Sequence, residues 1–280
     1  MTTGLRRRLN LKKTLFLLPN MITLTSIFCG FDSIRTSSHA TSDDDYYKAA
    51  LLIVFAMFFD TLDGRVARAT KTQSAFGLQI DSLADVVSFG VAPSILVYEW
   101  TLNRLGTTGL LVSFLFTACG AVRLARFNVL SMGEEGKPQK PGKYIVGLPI
   151  PGAAGILVAI VVANHAAAGA MGRAEYAGVI LGVTIGLSFL MVSTIRFRSF
   201  KDVKLNLRTV LFVLFAVGSS VVVSTQTKPA FVLIWLISVY VMLGIFETLW
   251  NLPGRLRERA ALAREAAAAP SGRPSSHPTE

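Results

Sequence analysis

The sequence predicts an all-α protein, a polytopic membrane helix bundle, and three observations carry that reading. Hydrophobic residues make up 52% of the 280 and charged ones only 16%, with a mean hydropathy of +0.52. That balance is foreign to soluble domains. Apolar stretches recur at close to the roughly 17–25 residues that a bilayer crossing needs. About eight are present, at 15–34, 48–66, 78–100, 106–124, 147–166, 176–195, 209–225 and 229–250. Finally, basic residues favour alternate connections. With the N-terminus in the cytoplasm, 23 of the 28 Lys and Arg residues lie inside and 5 outside, a strong positive-inside bias.

Taken in order, the chain opens on a basic arm carrying Arg6, Arg7, Arg8, Lys12 and Lys13. The first span contains Pro19 and Asn20 and lacks a small-residue cleavage site, so it is expected to stay as a helix. Arg35, Lys48 and the acidic run 43–45 fall outside, and Arg65, Arg68 and Lys71 close the second span inside. Residues 70–76 are polar enough to turn at the interface before the third span. Arg123 and Arg126 end the fourth, and the Gly-, Pro- and charge-rich 133–143 suits a surface loop. Arg104 and Arg173 lie outside; a basic stretch from Arg196 to Arg208 follows the sixth span inside, and Lys228 separates the last two outside. After Trp250 the run RLRERAALAREAAAA suits a short surface helix, and the Pro/Ser-rich residues from Pro270 predict disorder.

Several functions are disfavoured. The net charge of +11 is accounted for by orientation and contact with anionic lipid. No basic segment is interleaved with aromatics in a soluble module, so no nucleic-acid partner is expected. Cys29 and Cys119 lie in separate apolar segments and are expected to pack, not to pair or bind metal. His39 and His165 fall outside and His277 in the tail, which disfavours histidine-dependent chemistry at an inner site. A Gly-rich phosphate loop and a nucleophile elbow are both missing, leaving direct displacement as the simplest chemistry.

The candidate site is the run D60-TL-D63-G64-RV-A67-R68, eight residues, then G77-LQI-D81-SLA-D85. Carboxylates in so apolar a segment are costly and mark function by default. At about 100° per residue, Asp60, Asp63, Gly64 and Ala67 share one helix face, and Asp81, Asp85 and Ser88 share another. Side by side, the two helices bring four hard oxygen ligands together, enough for two divalent cations, Mg²⁺ or Mn²⁺. Two such ions suit a pyrophosphate and an in-line displacement at phosphorus. Small Gly64 and Ala67 let a bulky nucleotide approach, and Arg68 offers a fork of donors to phosphate. Ser74 and Ser88 have no nearby base except these carboxylates. The competing readings are a structural ion-pair network and a cation-coupled transporter. A transporter's acids usually sit at mid-membrane, whereas these lie toward the cytoplasmic ends.

At all eight fixed positions, Asp60, Asp63, Gly64, Ala67, Arg68, Gly77, Asp81 and Asp85, this run resembles the CDP-alcohol phosphatidyltransferase motif. The resemblance implies a six-helix catalytic core over 15–195, usually homodimeric, with 1–14 as a cytoplasmic arm, 196–250 as two additional spans and 251–280 as a cytoplasmic tail. It implies that Asp60, Asp63, Asp81 and Asp85 hold two cations and that Asp85 is also the general base. Gly64, Arg68 and Ser74 would contact the CDP-lipid, with Ala67 and Gly77 beside them. Four further blocks resemble the serine-using branch: P19-N20-MI-T23, D81-SLAD-VVSFGVAP, A125-R126-F127-N128 and G147-LPIPGAA. They imply transfer from CDP-diacylglycerol to L-serine, giving phosphatidylserine and CMP at the inner face of the cell membrane. Glycerol phosphate, inositol phosphate and choline stay open as acceptors. Asn20 and Thr23 are candidates for the lipid nucleotide, with helix packing as their other role. Arg126, then Arg123 and Arg196, are candidates for the serine carboxylate, with membrane anchoring as the alternative.

Overall fold

A computed structural model describes residues 11–72, 74–131, 144–166 and 174–198. The six spans expected before residue 196 are all helical. Helix α1 runs Leu11–Ser38 and α2 Asp43–Ala69. The third span is one continuous rod made of α3 (Ala75–Asp85), a π-helical turn (Val86–Val91) and α4 (Ala92–Trp100). Then come α5 (Thr107–Ser131), α6 (Ile150–Ala166) and α7 (Ala177–Val192). Three segments, Leu17–Ser38, Ala75–Trp100 and Thr107–Val129, are long and apolar enough by themselves to cross a membrane. Most of the arm, the loop 133–143, Lys228, the spans at 209–225 and 229–250 and the tail lie outside the described residues.

The packing is apolar outward and small or polar inward. On α1, Thr23, Ser26, Ser33 and Ser37 are buried, while Leu17, Met21, Leu24, Phe28 and Phe31 face out. This is how membrane helices associate: small residues let backbones approach, and hydroxyls bond across the contact. Ser26 donates to the Ala56 carbonyl at 3.1 Å and Ser33 to that of Ala49 at 2.9 Å, tying α1 to the alanine-rich side of α2. Helix α6 is the inner element, with Ile150, Ala154, Leu157, Val158 and Val161 buried. Cys29 and Cys119 are free thiols within this packing.

Polar contacts mark the two ends. At one end, Tyr46 donates to the Glu99 carbonyl at 3.0 Å, and His165 donates to Asp44 at 2.8 Å while stacking on Tyr47. There the acidic first turn of α2 suits the helix dipole. Hydrogen bonds from Lys48, from the Thr41 backbone and from Ser42 hold the Asp45 carboxyl well below the usual range. At the other end lie the carboxylates and a small feature not anticipated in an all-α chain. Strands β1 (Tyr144–Val146) and β2 (Arg196–Arg198) pair antiparallel. Arg196, expected in a loop, therefore heads a strand opposite Val146.

Two local devices set the geometry of the carboxylate hairpin. Helix α2 stops in a Schellman motif: Thr72 N–H bonds the Ala67 carbonyl at 3.0 Å and Lys71 N–H that of Arg68 at 3.3 Å. Lys71 takes the left-handed φ of 55° that this motif requires. Ser74 then caps α3, accepting from Gly77 N–H at 2.9 Å. Beyond Asp85 the π turn has a chemical cause. Pro93 has no N–H to bond Phe89, and Thr117 takes the Gly90 carbonyl at 3.1 Å. The helix widens there to an Ala92-to-Val87 bond.

Candidate active site

Asp60 and Asp63 project from the last three turns of α2, and Asp81 and Asp85 from the second half of α3. One oxygen each from Asp60, Asp63 and Asp81 lie within 4.8 Å of one another. Asp63 is buried and the other two are half-buried. Asp85 lies beside them, near enough for its carboxyl to interact electrostatically with those of Asp60 and Asp81; its Oδ1 is buried and has no hydrogen-bond partner among the described residues. Acids this close, in so apolar a setting, repel unless positive charge lies between them. An all-oxygen set at this spacing fits a hard divalent cation.

The neighbours of this cluster were only partly foreseen. Thr23, expected at the lipid nucleotide, donates to Asp63 Oδ2 at 2.6 Å. It therefore orients that carboxylate, as an outer-shell partner would in a metal site. The donor chemistry of a Thr one helix away carries no spacing signal. Asn20 comes close to the start of α3: a Cβ on Gly77 would lie 3.7 Å from Asn20 Oδ1 and 3.2 Å from Ser74 Oγ. Since Ser74 accepts from Gly77 N–H, its own O–H remains a donor. Gly64 has an open flank, where among the described residues a Cβ would meet only Arg68 Nη1, at 3.7 Å, and Ala67 is half-buried beside it.

Ser88 departs from expectation. It was placed on the carboxylate face, but it is buried against α1 and donates to the Ser26 carbonyl at 3.0 Å. The π turn that begins at Val86 breaks the 3.6-residue phase after Asp85. Of the three arginines, Arg123 is buried within the electrostatic reach of Asp85, and its guanidinium carbon lies 5.7 Å from the Phe127 ring centroid. Arg126 is exposed, and Arg196 is placed by its backbone alone, in β2. Sequence reasoning missed Asn128, which donates through Nδ2 to Ser82 Oγ at 2.9 Å. This links α5 to the helix that carries Asp81 and Asp85.

A membrane helix bundle with a carboxylate cluster at one end of a helical hairpin defines a class, that of polytopic membrane proteins whose acidic cluster could hold a cation. Comparison with known proteins narrows it. Residues 16–250 match the CDP-alcohol phosphatidyltransferase family, and the chain belongs to it. It is 40% identical over 233 residues to a CDP-diacylglycerol–serine O-phosphatidyltransferase of Helicobacter pylori (strain J99), covering 83% of this chain and 91% of that one. A protein of the same description from Bacillus subtilis is 36% identical over 66% of this chain and 91% of its own. An archaetidylserine synthase of Methanothermobacter thermautotrophicus is 35% identical over 64% of this chain and 69% of its own. The last differs from the others in the lipid named and agrees with them in the serine.

Proposed function

We infer that this membrane enzyme transfers the phosphatidyl group of CDP-diacylglycerol to L-serine, releasing CMP and forming phosphatidylserine. The observation that carries the reaction class is the carboxylate triad at the end of the α2–α3 hairpin, within 4.8 Å oxygen to oxygen. The serine assignment is supported by relatives that share it in their names while differing in the lipid. Residues 15–195 form the catalytic core in this reading, with 1–14 and 251–280 as cytoplasmic arm and tail and 196–250 as two further spans. In this reading the enzyme is a homodimer in the cell membrane with its site toward the cytoplasm, an orientation that the distribution of basic residues supports.

Asp60, Asp63, Asp81 and Asp85 would hold two divalent cations, Mg²⁺ or Mn²⁺, which would supply charge neutralisation for the pyrophosphate and for the departing CMP. The chain's own residues do the rest. The open flank of Gly64 admits the nucleotide, and Arg68 and the Ser74 O–H, beside Gly77 and Asn20, bind phosphate oxygens. Asp85 Oδ1 takes the proton of the serine hydroxyl as that oxygen attacks the β-phosphorus. The new bond is serine O–P, the broken one joins that phosphorus to the oxygen bridging to CMP, and CMP leaves with the electron pair.

The test is an acceptor panel. Purified protein is given CDP-diacylglycerol and, in turn, labelled serine, glycerol phosphate, inositol phosphate, choline or ethanolamine. Label is expected in lipid with serine alone. Lipid labelling from another alcohol in preference to serine would overturn the acceptor and leave the reaction class standing.

A further inference from the structure

The orientation of the Asn128 amide is fixed by its partner. Ser82 has one hydroxyl proton, which it donates to the Leu78 carbonyl at 3.0 Å. Toward Asn128, at 2.9 Å, Ser82 Oγ is therefore an acceptor, and the group facing it must be the amide nitrogen. The amide oxygen consequently points away from Ser82. It is buried and meets no hydrogen-bond donor among the described residues. A buried acceptor in a fixed orientation with no donor is costly to keep. Asp85 Oδ1 is a second acceptor of this kind. Ser82 lies one residue after Asp81 and three before Asp85 on α3, so Asn128 stands level with the carboxylates. Arg123 is on the same helix as Asn128, and its guanidinium lies over Phe127, one turn toward Asn128.

We propose that Asn128 Oδ1 receives the α-ammonium of the acceptor serine, while Asp85 Oδ1 meets its hydroxyl and Arg123 its carboxylate. This rests on the serine assignment above and adds to it a specificity-determining residue. An ammonium is all donor and an amide oxygen all acceptor, so the pair satisfies a buried group that has no donor among the described residues. The neutral amide also adds no charge to a pocket already crowded with carboxylates. Three separate contacts to the three polar groups around one carbon recognise a single enantiomer, taken as L from the proposed substrate. Ser82 acts as a positioning residue, holding the amide by the bond it accepts.

The experiment compares L-serine, D-serine and 3-hydroxypropanoate, which is serine without its amine, as acceptors for the purified full-length enzyme. In the parent, 3-hydroxypropanoate and D-serine are expected to show kcat/KM roughly 10–100-fold below L-serine, the cost of losing a hydrogen bond to a charged group. Asn128→Ala raises the KM for L-serine by a similar factor and leaves the KM for CDP-diacylglycerol in place. It affects 3-hydroxypropanoate far less, so discrimination between the two acceptors shrinks; a merely structural lesion lowers both alike. Ser82→Ala, which frees the amide to turn, shifts the ratio in the same direction by less and serves if Asn128→Ala does not fold. Equal use of 3-hydroxypropanoate and L-serine by the parent, or an unchanged ratio in both variants, overturns the proposal. CMP release with some other alcohol and none with serine would overturn the serine assignment and this proposal together.

Discussion

Thr23 shows how a site is completed by a residue that its motif does not contain. Its hydroxyl reaches Asp63 Oδ2 at 2.6 Å from a different helix, and a charge-assisted bond of that length holds the carboxylate in one rotamer. Thr23→Val keeps the shape and removes the donor. The variant is expected to need about 10–100-fold more Mg²⁺ or Mn²⁺ for half-maximal rate, the usual loss for an outer-shell partner. A metal titration of activity reads this directly, and an unshifted curve would assign Thr23 to packing. Asp85 is set apart from the triad by its buried Oδ1, which has no hydrogen-bond partner among the described residues. Asp85→Asn is accordingly expected to retain CDP-diacylglycerol binding better than Asp60→Asn or Asp63→Asn, while losing about 10²–10⁴-fold in turnover, as removal of a general base does. Equilibrium binding of the lipid nucleotide beside single-turnover rates tests the split. Near-normal turnover in Asp85→Asn would remove it from the role of base.

At the scale of elements, the carboxylate hairpin depends on how α1 meets the π turn. A Cβ on Gly30 would lie 2.8 Å from both Cα and Oγ of Ser88, and a backbone atom cannot give way as a side-chain tip does. Gly30→Ala should force α1 off the turn, with the roughly 1–3 kcal/mol loss typical of overpacking. A lower Tm in detergent or nanodiscs, with reduced turnover, is the expected result; an unchanged Tm would mean that the two helices part without cost. The sequence made the six spans legible because bilayer length and hydropathy are coarse constraints that a single chain must satisfy. It made Asp60, Asp63 and Asp81 legible because their spacing needs only helical periodicity. The π turn was illegible, since Pro93 signals a lost bond but not how the helix adjusts. So was Ser88, whose face changed with that adjustment, and so was the pairing of Tyr144–Val146 with Arg196–Arg198, a contact between distant segments.

Taken whole, the molecule separates two chemistries. The end with Asp44, Glu99 and His165 is held by ordinary polar contacts, whereas the other end gathers Asp60, Asp63, Asp81, Asp85, Arg123 and Asn128 around one seam of α2, α3 and α5. Buried hydroxyls along α1 and its outward-facing large apolar residues leave the bundle stable in lipid while that seam stays polar. Such a distribution suits an enzyme that draws one substrate from the bilayer and the other from water. Turnover at this seam is expected to depend on a divalent cation. The direct measurement is the yield of CMP and phosphatidylserine from purified protein given CDP-diacylglycerol and L-serine, with Mg²⁺ or Mn²⁺ added back after chelation, beside Asp81→Asn. Equimolar CMP and phosphatidylserine that appear only with the cation, and are lost in Asp81→Asn, are predicted. Equal yields after chelation, or an Asp81→Asn variant as active as the parent, would contradict it.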